Sequence, residues 1–320
     1  MADETRTPRG AIKLHPGVLE CSMKHWKKWE IKKIELADKQ YPKLLKKIRN
    51  SPKQLYFRGR WNKKIFSDCL AVVGARKITR YGESVIENLI PDLVRVGLTI
   101  VSGFMYGVDG KAHKVCLQNK GKTIAVLGCG LDILYPVLND KLYTEILEND
   151  GLVMSEYERK VKPELWTFPQ RNRIVAGLSK GVLVIEGGEK SGSLITARIG
   201  FQQKKPVMAV PGAINSSMSA GTNWLIRNGA IAVTKAEEIL EELEIIAPRR
   251  ITPRGGIKDS APGRLSKEEE KIVDELEREE LDVDELARKL KMKVDEMGAL
   301  LSLMSLKQLV KEKNGKYRLG

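Results

Sequence analysis

Short, continuous apolar segments alternate with helix-patterned stretches through the middle of this chain. The segments are 69–73 (CLAVV), 98–101 (LTIV), 123–127 (TIAVL), 152–154 (LVM), 182–185 (VLVI), 207–210 (VMAV) and 231–233 (IAV). Each is rich in Val, Ile and Leu and lacks a polar face, the pattern of strands covered on both sides. Helix-length stretches lie between them at 81–95, 109–119, 139–149, 172–180, 194–203 and 222–228. Such alternation predicts right-handed βαβ crossovers and an α/β fold with a doubly wound, mostly parallel sheet. Ligands of such sheets sit at the carboxyl ends of the strands.

The flanks read differently. Residues 1–20 are polar and carry Pro8 and Pro16, a loose arm, and residues 24–60 interleave Lys and Arg with Trp26, Trp29, Tyr41, Tyr56 and Phe57. Rings among cations suit base stacking beside phosphate contacts; the preferred reading is that they anchor a basic segment by packing, because Tyr41-Pro42 and Leu44-Leu45 read as packing residues. Residues 247–264 combine prolines, glycines and arginines without periodicity and read as a linker. A helical pattern resumes at 265, with Ser266 as N-cap and Glu269 at the capping-box position. A second cap at Asp282 follows, then an apolar-periodic stretch at 294–309 and an Asn314-Gly315 turn before Lys316-Tyr317-Arg318-Leu319. Three helices and a ribbon are the order of a small winged helix. The expected organisation is therefore a basic arm and extension (1–65), a central domain (66–246), a linker (247–264) and a winged-helix-like domain (265–320).

Charge sharpens this picture because of where it lies. Of the net +15, residues 1–65 hold 18 Lys and Arg against 6 Asp and Glu, while residues 66–246 hold 21 against 20. The linker holds 5 against 1, and residues 265–320 hold 12 against 14. A basic block attracts polyanions by counterion release and steering, or else serves as a solvated, solubilising face. No stretch reaches the ~20 apolar residues of a membrane span, and the opening MADETRTPRG has no apolar signal core. Cys21, Cys69, Cys116 and Cys129 show no metal-ligand or disulfide spacing, which fits a reducing cytoplasm.

Nearly every strand's carboxyl end carries Gly, Ser or a charge. Gly74-Ala75-Arg76 follows the first, with glycine to turn amides outward, a helix N-terminus behind, and a guanidinium fork for phosphate. Ser102-Gly103, then Gly107 and Asp109, follow the second; Gly128-Cys129-Gly130 follows the third. Glu186-Gly187-Gly188, Ser191-Gly192-Ser193 and Thr196 follow the fifth, and Pro211-Gly212 the sixth. A row of such turns makes a long crest of donors, suited to an extended polyanion. Phe168-Pro169-Gln170-Arg171-Asn172-Arg173 adds an aromatic and two arginines at an expected helix start: phosphate clamps beside a stacking ring, or arginines bracing the sheet through acids such as Glu156. P-loop and dinucleotide fingerprints are absent. His15, His25 and His113 are dispersed, Asp109 reads as a cap, and Glu156 and Glu186 lack a partner nucleophile, so neither a catalytic set nor a cofactor is expected.

Taken in order, several motifs resemble the DNA-processing protein A family (DprA, also called Smf). They are Val73-Gly74-Ala75-Arg76, Ser102-Gly103 with Gly107-Val108-Asp109 and Ala112-His113, and the run from Thr123 to Gly128. Tyr135-Pro136 with Asn139, Ser155-Glu156-Tyr157 and Phe168-Pro169 with Arg171-Asn172-Arg173-Ile174 continue the series. Ser191 to Ala197, Val210-Pro211-Gly212 and Gly221 to Ile226 complete it. The resemblance covers roughly residues 41–245, and the tail from 265 is similar to the family's winged-helix domain. It implies an extended Rossmann-like fold that binds single-stranded DNA without sequence preference. It also implies a homodimer that loads a RecA-family recombinase, in DNA uptake or recombination, and is not an enzyme. By position, Gly74 and Arg76 hold a phosphate, Ser102 and Gly103 line the same pocket, and Phe168, Arg171, Asn172 and Arg173 border the strand. Two departures stand out. Met105-Tyr106 replaces the family's Ala-Arg, exchanging a cation for an aromatic, and Leu165-Trp166 stands where some members have a lysine. The alternative class is a nucleotide-processing phosphoribohydrolase of a related fold. Its Pro-Gly-Gly-x-Gly-Thr loop is broken here, since Pro211-Gly212-Ala213 precedes Gly221-Thr222 by nine residues.

Overall fold

The computed structural model describes residues 28–245, 267–277, 279–306, 309–313 and 315–319, in two compact units that divide between Arg249 and Arg250. The expected N-terminal arm, the linker and the Ser266 cap lie outside the described residues.

In the first unit the strands are β1 (Lys32–Glu35), β2 (Gln54–Gly59), β3 (Cys69–Val73), β4 (Thr99–Ser102), β5 (Thr123–Val126), β6 (Leu152–Ser155), β7 (Gly181–Val184), β8 (Val207–Ala209) and β9 (Ile231–Ala232). The helices are α1 (Lys43–Lys46), α2 (Arg80–Arg95), α3 (Val108–Gln118), α4 (Asp140–Glu148), α5 (Thr167–Leu178), α6 (Ser193–Gln202), α7 (Ala220–Arg227) and α8 (Ala236–Glu242). The strands form one sheet in the order β1-β2-β6-β5-β4-β3-β7-β8-β9, parallel from β6 to β9. β3 to β8 are buried along their whole length, which explains their unbroken apolar sequence. Alternate residues of β3 feed opposite cores. Cys69, Ala71 and Val73 pack with α1, α5 and α6, whereas Leu70 and Val72 pack with α2, α3 and α8. Each such fully buried Val or Leu is worth about 1.5–3 kcal/mol of transfer free energy.

Each expected strand is present with its ends within one residue of those expected. Two strands were not expected. β1 and β2 pair antiparallel with each other, and β2 pairs antiparallel with β6. The described part of the basic extension therefore belongs to the sheet, and the expected boundary at residue 65 coincides with no break in it. Within it Tyr41 and Phe57 are buried, and the Tyr41 hydroxyl donates to Pro52 O at 2.8 Å. These two aromatics pack; they are not open stacking surfaces. Among the helices, α5 departs most from its expected start. α5 begins at Thr167 and not at 172, because Pro169 lies in its first turn, where a missing N–H costs nothing.

The second unit contains α9 (Lys267–Leu276), α10 (Val283–Leu290), α11 (Val294–Leu306) and the antiparallel hairpin β10 (Val310–Lys313) and β11 (Lys316–Leu319). Asp282 caps α10 reciprocally: Oδ1 accepts from Glu285 N at 2.8 Å, and Asp282 N donates to Glu285 Oε2 at 3.0 Å. Ile272, Leu286, Met297, Leu301 and Met304 form its core. α11 carries no Lys or Arg, and its exposed side chains include Asp295, Glu296, Ala299, Ser302 and Leu303.

Candidate nucleic-acid interface

The chain runs β3 to β6 toward one edge and β7 to β9 toward the other, so the direction reverses at the β3–β7 pair. The loops leaving β3, β4 and β7 part there and open a crevice. Gly74 is a tight point there. A Cβ on it would lie 2.6 Å from Val108 Cγ2 and 2.8 Å from Glu186 O, so only glycine lets β3 pass between these loops. Ala75 N then donates to Glu186 O at 2.8 Å and Val108 N to Ala75 O at 3.1 Å, which locks the three loops together. Arg76 emerges exposed, its guanidinium 5.6 Å from the centre of the Phe168 ring.

The helix N-terminus behind this loop does not face the crevice as a free anion site. Glu186, 2% exposed, fills it: Thr79 N donates to Oε1 at 2.7 Å and Thr79 Oγ1 to Oε2 at 2.8 Å. An internal carboxylate already satisfies the start of α2. The α6 N-terminus differs. It has no acid in its first turn and no side-chain cap, and it is preceded by the Ser191-Gly192-Ser193 turn, in which the two hydroxyls meet at 2.8 Å. Gly192 is exposed, whereas Ser193 and Thr196 are buried along the wall.

Arg171 is turned inward, 3% exposed, and its Nη1 donates to Gly103 O and Val126 O while Nε donates to Asn172 Oδ1 at 3.2 Å. Asp109 lies close by. A Cβ on Gly103 would sit 2.7 Å from Asp109 Oδ2 and 2.8 Å from Arg171 Cζ. Burial raises the Asp109 carboxyl above its ordinary value and Arg171 opposes the rise; burial likewise lowers Arg171, with Asp109 opposing. Arg171 thus ties α5 to the ends of β4 and β5 from beneath, with Nη1 and Nε engaged within the protein. Arg173 gives both Glu156 carboxylate oxygens a bond of 2.6 Å, the bracing arrangement. Ser102 is fully buried and donates to Val72 O at 2.6 Å, so its hydroxyl also braces the rim and does not line it.

What remains is an open cavity of about 580 Å³ at the crest, lined by Gly74, Arg76, Gly103, Phe168, Arg171, Asn172, Ser191, Gly192, Ser193 and Thr196 among others. Of the residues expected to contact DNA, only Ser102 and Arg173 are not part of its wall; Gly128 to Gly130 after β5 and Pro211-Gly212 after β8, expected along the same crest, do not line it either. Phe168 is 8% exposed, packed between Arg76 and Tyr135 (5.6 Å between ring centres), so its ring positions Arg76 more than it offers a face. Sequence reasoning passed over two exposed cations of this wall, Lys77 and Lys190. The available signal was a lysine next to Arg76 and another inside a Gly/Ser turn.

The rim holds no paired acid and nucleophile. His113 is fully buried, 2.6 Å from Thr123 Oγ1 through Nδ1, and burial lowers its pKa to about 3. Thr123 Oγ1 donates to Ile100 O at 2.7 Å, so Nδ1 carries the proton and donates to Thr123. Among the described residues no helix is long and apolar enough to cross a membrane.

The sequence profile described as DNA recombination-mediator protein A matches residues 32–244, and that of the DprA winged helix domain matches residues 258–316. The chain is 45% identical over 204 residues to Protein Smf of Escherichia coli, a match covering 64% of this chain and 54% of that protein. It is thus aligned with only about half of that relative's length. Against the DNA processing protein DprA of Bacillus subtilis it is 40% identical over 213 residues, covering 67% and 71%. The solved structure of DNA processing protein A from Streptococcus pneumoniae superposes with a TM-score of 0.62 at 40% identity, over 68% of this chain and 76% of that one. The structure of DNA processing protein A from Helicobacter pylori, presented for its single-stranded DNA binding mode, gives 0.60 at 32% identity over 68% and 96%. With that profile spanning the whole sheet and crest, the chain belongs to the DNA recombination-mediator protein A family, and its C-terminal unit is the family's winged-helix domain.

Proposed function

We propose that the crest cavity holds the backbone of single-stranded DNA without reading its sequence, and that the bound strand is passed to a RecA-family recombinase. The observation that carries this reading is an open rim whose exposed cations, Arg76, Lys77 and Lys190, have no carboxylate partner among the described residues. Glycine walls admit a sugar-phosphate chain closely, and cations held by an aromatic or left free neutralise phosphates irrespective of base. The Helicobacter pylori relative's single-stranded DNA binding supports the same ligand. Duplex reading through the winged helix has less support, because α11, the third helix of that unit, brings no cation to a groove. A hydrolytic role has less support too: Glu186 is engaged by Thr79 and Glu156 by Arg173. Assembly as a homodimer and a non-enzymatic role complete the proposal.

Anisotropy titrations with labelled oligo-dT and an equal-length duplex test the ligand. Tighter binding of the single strand, with affinity falling as salt rises, is expected; preference for the duplex overturns it. Faster recombinase nucleation on strands covered by a single-strand-binding protein is the expected readout of loading, and an unchanged lag overturns that step.

A further inference from the structure

A second depression opens beside the crest, on the α1, α5 and α6 face of the sheet, with a volume of about 1530 Å³. It shares two wall residues with the crest cavity, Pro169 and Ile195, which form a saddle between the two. α5, twelve residues long, runs beside it from the crest toward the opposite end of the sheet. At about 1.5 Å per residue that is roughly 18 Å.

The chemistry of this groove matches that of a single strand leaving the crest. At its upper end Trp166 is 55% exposed and turned edge-on to Tyr157, with 5.9 Å between ring centres. Its indole N–H donates to Glu164 at 2.5 Å, which fixes the ring and leaves a face open. Lower down, Lys47, Arg49 and Lys204 are exposed and pair with no carboxylate among the described residues. The other cations there are occupied: Arg173 by Glu156, Lys180 by Asp68, and Lys205 by the carbonyls of Ala176, Gly177 and Ser179. Glu242 and Glu244 lie at the far end. They put an acidic stop to the basic stretch.

The geometry points to an extended DNA site. A single strand seated on the crest continues over the Pro169–Ile195 saddle into this groove, where Trp166 stacks a base and Lys47, Arg49 and Lys204 hold phosphates. The inference rests on the crest reading proposed above. Eighteen ångströms accommodates about five nucleotides at the stacked spacing of 3.4 Å, fewer if the strand is stretched.

Length-dependent titration of the full chain tests it, using oligo-dT of about six nucleotides, enough for the crest, and about twenty, enough for both. The variant Lys47→Ala/Arg49→Ala/Lys204→Ala removes exposed groups only. It is expected to lower the log–log salt slope of the long oligonucleotide by about 2, at ~0.7 per phosphate, and to leave the short one's slope unchanged. Trp166→Ala is expected to weaken the long oligonucleotide at least about fivefold, the lower bound for one lost base stack, with Trp166→Phe restoring most of it. If the triple variant leaves both oligonucleotides unchanged while Arg76→Ala weakens both, the groove is discarded and the crest retained. If it weakens both alike, the groove is likewise not an extension. An Arg76→Ala variant that alters neither discards the crest reading itself.

Discussion

The guanidinium of Arg76 lies 5.6 Å from the centre of the Phe168 ring, so an aromatic side chain holds one of the rim's exposed cations, which makes no ion pair among the described residues. An ion pair would have to be broken before a phosphate took its place; a cation over a ring keeps its N–H groups for the ligand. Phe168 is itself fixed by Tyr135 at 5.6 Å.

Arg76→Ala is therefore expected to weaken oligo-dT binding by about 1–2 kcal/mol, roughly five- to thirtyfold, equally for mixed sequences. Because the side chain is exposed, the urea midpoint should stay where it is. Parallel titrations and denaturation curves check both halves.

Arg171 is expected to behave in the opposite way. Removing it strands the carbonyls of Gly103 and Val126 and leaves Asp109 a buried, uncompensated carboxylate. Arg171→Met should cost about 3–5 kcal/mol of stability in urea denaturation. A stable variant with selectively lost DNA affinity would instead make Arg171 a phosphate clamp.

Gly74→Ala places a Cβ 2.8 Å from the backbone oxygen of Glu186. A carbonyl in a locked loop cannot step aside as a side-chain tip can. About 1–3 kcal/mol of destabilisation is expected from overpacking, with weaker binding as the rim spreads. Thermal melts and the same titrations read it.

The pH dependence of folding has a defined sign at His113. Its pKa in the folded protein is about 3, against an ordinary 6.5 when unfolded. Between these values the unfolded chain binds the proton and the folded one does not, so stability falls as pH drops below 6.5. Asp109 acts oppositely, since its raised pKa lets the folded state take up a proton first. Comparing wild type with His113→Gln isolates the histidine. The wild type's stability relative to the variant should shrink by about 2 kcal/mol from pH 7 to pH 5. A constant difference would mean that His113 can be protonated in place.

The particular residues explain how much the sequence disclosed. β3 to β8 were legible because a strand buried on both faces must be apolar throughout, and Gly74, Arg76 and Ser191 to Thr196 followed from standing just after such strands. β1 and β2 were not legible: Lys32, Lys33 and Glu35 leave Ile34 the one apolar residue of β1, and the buried Arg58 and half-buried Gln54 interrupt the apolar run of β2 around Leu55 and Phe57. The orientation of Arg171 depended on the phase of α5. A helix expected from 172 placed the arginine at a helix start facing the ligand. With Pro169 inside the first turn, Arg171 falls one turn later, on the buried face. The engagement of Glu186 by Thr79 was not legible because the two residues stand 107 apart in sequence.

The most direct test of the crest is a salt titration of wild type and an Arg76→Ala/Lys77→Ala/Lys190→Ala variant against oligo-dT. Wild-type affinity should fall linearly on a log–log plot, and the variant's slope should be shallower by about 2, at ~0.7 per phosphate lost. Identical slopes and affinities for the two proteins would mean that the strand, if it binds, lies somewhere other than this rim.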